Sequence, residues 1–291
     1  MDLLVTSLQI GLIYAIAVLG LTIAFRISGF PDLTMEGSFT AGAALSAVLI
    51  TLGANPLLAI FISPSIGILA GTCTALLHVR ANVSKLLAGI IMMTVLYTIN
   101  LRIMGRSNLS LLQYRTVFDW ATGDWMKAGI SALFALATVI LLTFFLRTEF
   151  GFCLRAAGEN PRVVTASGFS VGMFTLVGLA IANGLIALSG ALMSQLQGFS
   201  DIGMGTGIIV IAFASLLIGE TILAPRTVFR LILAAVLGAW IYNVITAFAL
   251  RLGIQPSDLK LATGVFLAAA VVAKNTIRKG KTQENVGCTT I

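Results

Sequence analysis

The sequence predicts an all-α, polytopic membrane protein with about nine spanning helices. Three observations predict it: very high apolar content, a succession of apolar segments, and Lys and Arg gathered on one set of alternate loops. The 291 residues are 58% hydrophobic and 10% charged, with a mean hydropathy of +1.03. A soluble domain carries about 25% charged residues, so lipid must solvate most of this chain. At about 20 residues per span the length accommodates eight to ten helices. No length remains for a soluble catalytic domain. The net charge of +7 would point to nucleic acid in a soluble protein. Here the charges sit at span ends, where they set membrane orientation, and no nucleic-acid partner is expected.

Nine apolar segments can be counted: Leu3–Phe25, Met35–Leu52, Pro56–Leu77, Leu86–Met104, Ala128–Leu146, Val171–Leu196, Gly207–Leu223, Val228–Leu250 and Leu261–Val272. The second, seventh and ninth are short for a full span. The first lacks a basic start and reads as a retained span rather than a cleaved signal. With the tail after Val272 placed in the cytoplasm, alternation puts 12 of the 18 Lys and Arg inside and 6 outside. Arg26, Arg80, Lys85, Arg147, Arg155 and Arg162 fall inside; Arg102, Arg106 and Arg115 fall outside. That is the direction the positive-inside rule requires. It puts the N-terminus outside and the C-terminus in the cytoplasm. The outside loop Gly105–Trp125 mixes Tyr114, Trp120 and Trp125 with Arg115, Asp119 and Asp124. The favoured reading is an interfacial aromatic belt; the other is a platform for an external partner.

An internal repeat follows. Gly29–Met35 (GFPDLTM) and Gly198–Met204 (GFSDIGM) share four of seven residues at an offset of 169. Each copy follows a long span and precedes a short one. Five spans separate them, so the two halves, about 3–104 and 171–272, must run in opposite directions, with 128–146 as the connector. Inverted halves with short helices at matching places are a transporter signature. Polar residues crowd these places. Met35, Glu36, Ser38, Thr40, Met204 and Thr206 are therefore the candidates for a pathway or gate, since a carboxylate at bilayer depth tends to face a cavity or partner. For Glu36 the alternative is a first-turn carboxylate favoured by its own helix dipole. Asp32 and Asp201 read equally as caps of the helices that follow. Asn100, Asn183, Gln195 and Asn243 are candidates for hydrogen bonds between helices. Gly67 and Gly71 form a small-xxx-small pair expected to permit close packing within the subunit.

The most informative stretch is Arg147–Ser170, RTEFGFCLRAAGENPRVVTASGFS. After Gly158-Glu159, Asn160 is a good N-cap and Pro161 fits the first helical position. Residues Arg162–Ser167 can form about two turns before Gly168 stops them. A short capped helix between two spans on the cytoplasmic side can transmit a partner's movement to the bundle.

This run resembles the coupling-helix motif of permeases from ATP-binding cassette importers for branched-chain amino acids, ribose and related solutes. There the pattern is approximately Arg-Ala-x-Gly-x-Asn-Pro-x-x-Ala-x-x-x-Gly. Arg155, Ala156, Gly158, Asn160, Pro161 and Gly168 match, and Val164 stands where Ala is frequent. Phe30–Ala44 (FPDLTMEGSFTAGAA) and Ser215–Ile222 (SLLIGETI) are similar to the tryptophan/tyrosine-type subgroup. The resemblance implies the type II fold, like the vitamin B12 importer permease. It also implies a second, identical permease subunit, two cytoplasmic ATPases and an extracytoplasmic solute-binding protein. The ATPase-coupling residues it implies are Arg155, Gly158, Glu159, Asn160, Pro161, Arg162 and Gly168. Residues 1–273 would form the permease domain, with the helix at about 158–168, and 274–291 a basic cytoplasmic tail.

Catalytic chemistry is not expected. Gly280-Lys281-Thr282 mimics the end of a phosphate-binding loop, but Asn275 replaces its first glycine and no strand precedes it. Any ATP would be bound by partner subunits. Cys73, Cys153, Cys288 and the single His78 are dispersed and suit neither a disulfide framework nor a metal site. Cys288–Ile291 lacks the aliphatic residues of a prenylation box. The leading expectation is an importer permease in a bacterial cytoplasmic membrane, carrying a small solute: an amino acid, with an aromatic one the first candidate, or else a nucleoside or sugar. The rivals are an ion-coupled secondary transporter, which would explain the repeat without the cytoplasmic helix, and an intramembrane enzyme, which needs ionisable clusters the sequence lacks.

Overall fold

The computed structural model describes residues 2–253, 258, 261 and 263–265. Apart from Leu261 and residues 263–265, the ninth apolar segment lies outside the described residues, as does the basic tail. The helices are α1 (Asp2–Leu21), α2 (Thr34–Thr51), α3 (Pro56–Ile62), α4 (Pro64–Val79), α5 (Lys85–Met104), α6 (Asp124–Arg147), α7 (Glu149–Glu159), α8 (Pro161–Ala166), α9 (Val171–Gln197), α10 (Ile208–Leu223) and α11 (Val228–Arg251). A π-helix, Thr22–Ile27, extends α1, and a 3-10 turn spans Val117–Trp120. Two three-residue strands, β1 (Asn108–Ser110) and β2 (Phe199–Asp201), pair antiparallel, with Leu109 opposite Ser200.

Six of the described helices are long and apolar enough to cross a membrane: α1 with its π-helical extension, α3 with α4, α5, α6, α9 and α11. They correspond to the first, third, fourth, fifth, sixth and eighth apolar segments. The third span is broken because Pro64 has no N–H to continue the ladder; the Ser63 N–H and hydroxyl both donate to the Ala59 carbonyl. The second and seventh segments form α2 and α10, of 18 and 16 residues. At 1.5 Å per residue these reach about 27 and 24 Å, against a hydrocarbon core of about 30 Å.

Burial sorts the helices into inner and outer. α1 is apolar on all sides and is the most enclosed span, packed by α6, α9, α10 and α11. α9 lies beside it and holds α2 and α4. α6 turns Leu133, Leu136, Ile140 and Phe144 outward along one face. Such a stripe suits hydrocarbon and would be a liability in water.

Small residues set the inner spacing. A Cβ on Gly42 of α2 would collide with the Ala187 carbonyl of α9. A Cβ on Gly67 or Gly71 of α4 would collide with the carbonyls of Asn183 or Leu179 on the same helix. The Gly67/Gly71 pair therefore packs inside the subunit.

The two halves show the same local geometry. Gly29 and Gly198 both have positive φ, +59° and +75°. Three residues on, Asp32 Oδ1 accepts from Thr34 N at 2.9 Å and Asp201 Oδ1 from Gly203 N at 2.8 Å. α4 packs on α9 as α11 packs on α1. Ser189 bonds the Ile13 carbonyl while Gly20 abuts Ala182, so α1 and α9 run antiparallel. Those are the directions that oppositely oriented halves require.

A matched pair of substitutions tests the spacing. Gly42→Ala should lower the detergent Tm, at about 1–3 kcal/mol of overpacking. Gly129→Ala, on α6 with open space around it, should leave Tm unchanged or raise it, since Ala favours helix.

Candidate functional site: the α2–α10 junction and the α7–α8 helix pair

α2 begins within the bundle, beside Asn183 at the middle of α9. Its start is fixed by a buried polar chain. Asp32 Oδ2 accepts from Asn183 Nδ2 at 2.7 Å, and Asn183 Oδ1 accepts from Ser38 Oγ at 2.7 Å. The hydroxyls of Thr34 and Thr74 meet at 2.8 Å, tying in α4. Asp32, Asn183 and Ser38 are all buried. Removing any one would strand its partners in an apolar interior. Of the four polar residues expected to bond across helices, Asn183 joins Asp32 and Ser38. Gln195 joins Ser46, the Pro56 carbonyl and Val117 N, and Asn100 joins the Gly37 carbonyl. Asn243 instead bonds the Ala239 carbonyl of its own helix.

α10 begins within the bundle from the other side. The turn before it, Gly203–Gly207, enters beside α2, where a Cβ on Gly205 would strike the Glu36 carbonyl. Glu36 Oε1 accepts from Gly207 N at 2.9 Å, and Thr40 Oγ1 accepts from Gly205 N at 3.0 Å. Glu36 therefore sits in the first turn of α2, as the dipole expectation has it, and in addition serves the positive end of α10. Asp32 takes the first-turn N–H of α2. Asp201 does not reach the α10 start; it bonds Gly203 N and Asn108 Nδ2, fastening the β1–β2 ribbon.

A cavity of about 290 Å³ opens at this junction, lined by Glu36, Gly37, Thr40 and Thr206 and by Met93, Thr94, Tyr97, Thr98, Asn100 and Ile202. A second, of equal volume, lies between Tyr14, Phe39, Met193, Gln197, Asp201 and Met204. Of the six pathway candidates, Glu36, Thr40 and Thr206 line the first cavity and Met204 the second. Met35 and Ser38 line neither: Met35 is core, and Ser38 is spent on Asn183. Thr94, Tyr97 and Thr98 were not singled out from sequence. Their i, i+3, i+4 spacing marks one polar face on an apolar helix, and all three are exposed.

After α6, Thr148 caps α7, accepting from Gly151 N at 3.2 Å. The apolar signal of the fifth segment ends at Leu146 and gives no sign of this helix. Gly158 and Glu159 close α7 and do not start the short helix. Asn160 Oδ1 accepts from Arg162 N at 3.2 Å, Pro161 is the first residue of α8, and Gly168 follows it at φ +82°. Only Val164 of α8 is buried; Pro161, Arg162 and Val163 project outward. The Arg155 side chain stays on α7, its guanidinium 5.6 Å from the Phe152 ring centre. Gly158 presses against the Ile27 carbonyl, leaving no room for a Cβ. Nearby, Arg26 Nε and Glu220 Oε1 pair at 2.9 Å, joining the end of α1 to the end of α10. No group of three metal-ligating side chains occurs among the described residues.

Six helices long and apolar enough to span, with two short helices meeting beside a cavity that has Glu36, Thr40 and Thr94 in its wall, make this a multi-pass membrane protein with the form of a permease. The family described as branched-chain amino acid transport system / permease component matches residues 3–273, and the chain belongs to it. The chain is a permease of an ATP-binding cassette transport system. It is 39% identical to the tyrosine transport system permease protein of Clostridioides difficile (strain R20291), over 91% of this chain and 88% of that one. It is 31% identical to the uncharacterized protein RP368 of Rickettsia prowazekii (strain Madrid E), over 92% and 96%. The ribose import permease protein RbsC of Escherichia coli (strain K12) is 22% identical over 90% and 82%. No solved structure matches.

Asn183→Leu should lower stability by about 1–3 kcal/mol, the range for stranding a buried acceptor, here an ionisable carboxyl. Thermal unfolding in detergent reads this loss. Adding Asp32→Asn to Asn183→Leu should recover part of it, because the stranded group is then uncharged.

Proposed function

We propose that this chain is the membrane-spanning subunit of an importer that moves an amino acid, with an aromatic one first in line, across a bacterial cytoplasmic membrane. The observation that carries this reading is α8: a capped, outward-projecting helix whose neighbour α7 abuts the end of α1. An ordinary turn between two spans has no need of Asn160, Pro161 and Gly168 in these places. Two copies of the chain bind two cytoplasmic ATPases, and a separate extracytoplasmic protein delivers the solute. The chain itself is not an enzyme and carries no cofactor or metal; ATP is bound by the partners. Nine spans in the type II arrangement, with the N-terminus outside and the C-terminus in the cytoplasm, accommodate both the charge distribution and the antiparallel α1 and α9.

The mechanism follows the contacts. An ATPase pushes on the exposed face of α8, with Arg155, Glu159 and Arg162 around it. The push passes through Gly158 to Ile27 at the end of α1. The Arg26–Glu220 pair hands it to α10, whose other end is held by Glu36. The two short helices thus form the gate, and solute passes beside them. The exposed Thr94–Tyr97–Thr98 face of α5 lines the path between the two copies, where a polar stripe avoids lipid. The similarity to a tyrosine permease favours an amino acid, and the more distant similarity to a ribose permease supports a sugar as the second reading.

The test is reconstitution with the ATPase and binding protein encoded beside this gene. The ATPase should co-purify with the chain, and uptake of L-tyrosine should require ATP. Gly158→Leu and Arg162→Glu should each reduce uptake about tenfold or more relative to ATP hydrolysed, since a small misplacement of a transmitting contact has large effects. Unchanged uptake per ATP in both variants would overturn the coupling role, and uptake by the chain alone would favour an ion-driven carrier.

A further inference from the structure

The geometry points to the cavity between α2, α5 and the 202–206 turn as a subsite for a primary ammonium group, held by Glu36 and Thr94. The assignment rests on the amino-acid reading above and deepens it, naming which end of the solute the permease itself holds.

The first argument is charge. Glu36 is the one ionisable carboxylate in the cavity wall, and no Lys or Arg among the described residues lines it. An anionic group entering there would meet a negative charge with no cation to offset it.

The second argument is the state of the backbone donors. Helix starts inside a membrane protein commonly receive anions, because their N–H groups are open. Here those of the turn that leads into α10 are closed. Gly205 N donates to Thr40, Thr206 N to the Gly203 carbonyl, Gly207 N to Glu36 and Ile208 N to the Gly205 carbonyl. At the other helix Thr34 N donates to Asp32. A solute carboxylate finds no free amide in the turn from Gly205 to Ile208.

The third argument is that the capacity left over is acceptor capacity. Glu36 uses Oε1 on Gly207, so Oε2 is available. The Thr94 hydroxyl donates to the Ile90 carbonyl at 2.9 Å and keeps its lone pairs. Asn100, also in the wall, donates to the Gly37 carbonyl at 3.0 Å, and its Oδ1 has no partner among the described residues. An ammonium group brings three donors and no acceptor. Its chemistry complements the wall, whereas a sugar hydroxyl complements it only in part.

The bland role for Glu36 is to cap α10 and nothing more. A cysteine reporter separates the two. In the assembled transporter, with Cys73→Ser, Cys153→Ser and Cys288→Ser removing the native thiols, Thr98→Cys places a thiol on the cavity wall for maleimide labelling. Tyramine, which has the ammonium and no carboxylate, should slow labelling about tenfold, the effect of one charge-assisted contact. 3-(4-Hydroxyphenyl)propionate, with the carboxylate and no ammonium, should not. Glu36→Gln keeps an acceptor for Gly207 N and removes the charge, so it should abolish tyramine protection. Thr94→Val does not touch the cap and should weaken the protection too. Equal protection by both compounds, no protection by either, or tyramine protection that survives both substitutions would overturn the subsite. The parent reading has a separate readout. If ATP-driven tyrosine uptake persists while the amine arm fails, only the subsite falls. If uptake is absent while tyramine still protects, the substrate assignment falls and the amine site stands.

Discussion

A helix that starts inside hydrocarbon leaves backbone N–H groups where no water can reach them, and something in the protein must accept them. Among the described residues two helices start inside the apolar bundle, and each is supplied with a carboxylate. Asp32 takes the first turn of α2, and Glu36, itself on α2, takes the start of α10. The second arrangement has a structural result beyond satisfaction of donors. Because the acceptor for α10 belongs to α2, neither short helix can shift far without uncovering a polar group. The junction of the halves is therefore held by hydrogen bonding at its centre and by close carbonyl contact at Gly205, while the outer spans pack through apolar surface.

The remaining contacts are unequal. α2 is fixed to α9 by Asn183, Ser38, Gln195 and the Gly42 contact. α10 is joined to the end of α1 through the exposed Arg26 and the less exposed Glu220. An ion pair of which one member is half solvated is weaker than a buried hydrogen-bond chain. α2 thus belongs to one packed unit with α9 and α4, and α10 to a second with α11, where Gly219 meets the Ala234 carbonyl and Gly238 the Ser215 carbonyl. The π-helical end of α1 lies at the same place, and such irregular turns recur where helices carry function.

Much of the fold could be read from the sequence because the hydrophobic signal is strong over long spans. Each apolar segment within the described residues became a helix, the break before Pro64 excepted. The Asn160–Gly168 signals became a capped helix because capping chemistry is local. What could not be read was either too short or too distant. β1 and β2 are three residues each, below the length at which alternation shows. α7 contains Gly151 and Gly158, which speak against a helix until their close contacts with Leu146 and Ile27 are seen. The link from Glu36 to Gly207 spans 171 residues and has no sequence signature. Ser38 looked like a pathway residue for the same reason: a polar side chain at depth reads alike whether it meets a cavity or a buried amide. The α5 stripe was legible in spacing, but Thr is common in spans and Thr94 and Thr98 also satisfy themselves within helices.

The close seating of α2 against α9 also bears on how such a permease can change its cargo. One side of α2 is committed: a methyl at Gly42 has nowhere to go, and Ser38 and Ser46 each hold a partner. Across the cavity, Thr94, Tyr97 and Thr98 stand clear of that packing on a helix whose outward face is open. Selectivity can be rewritten on α5 while the scaffold on α2 stays as it is. Relatives handling chemically unlike solutes could share one bundle and differ chiefly along that single stripe.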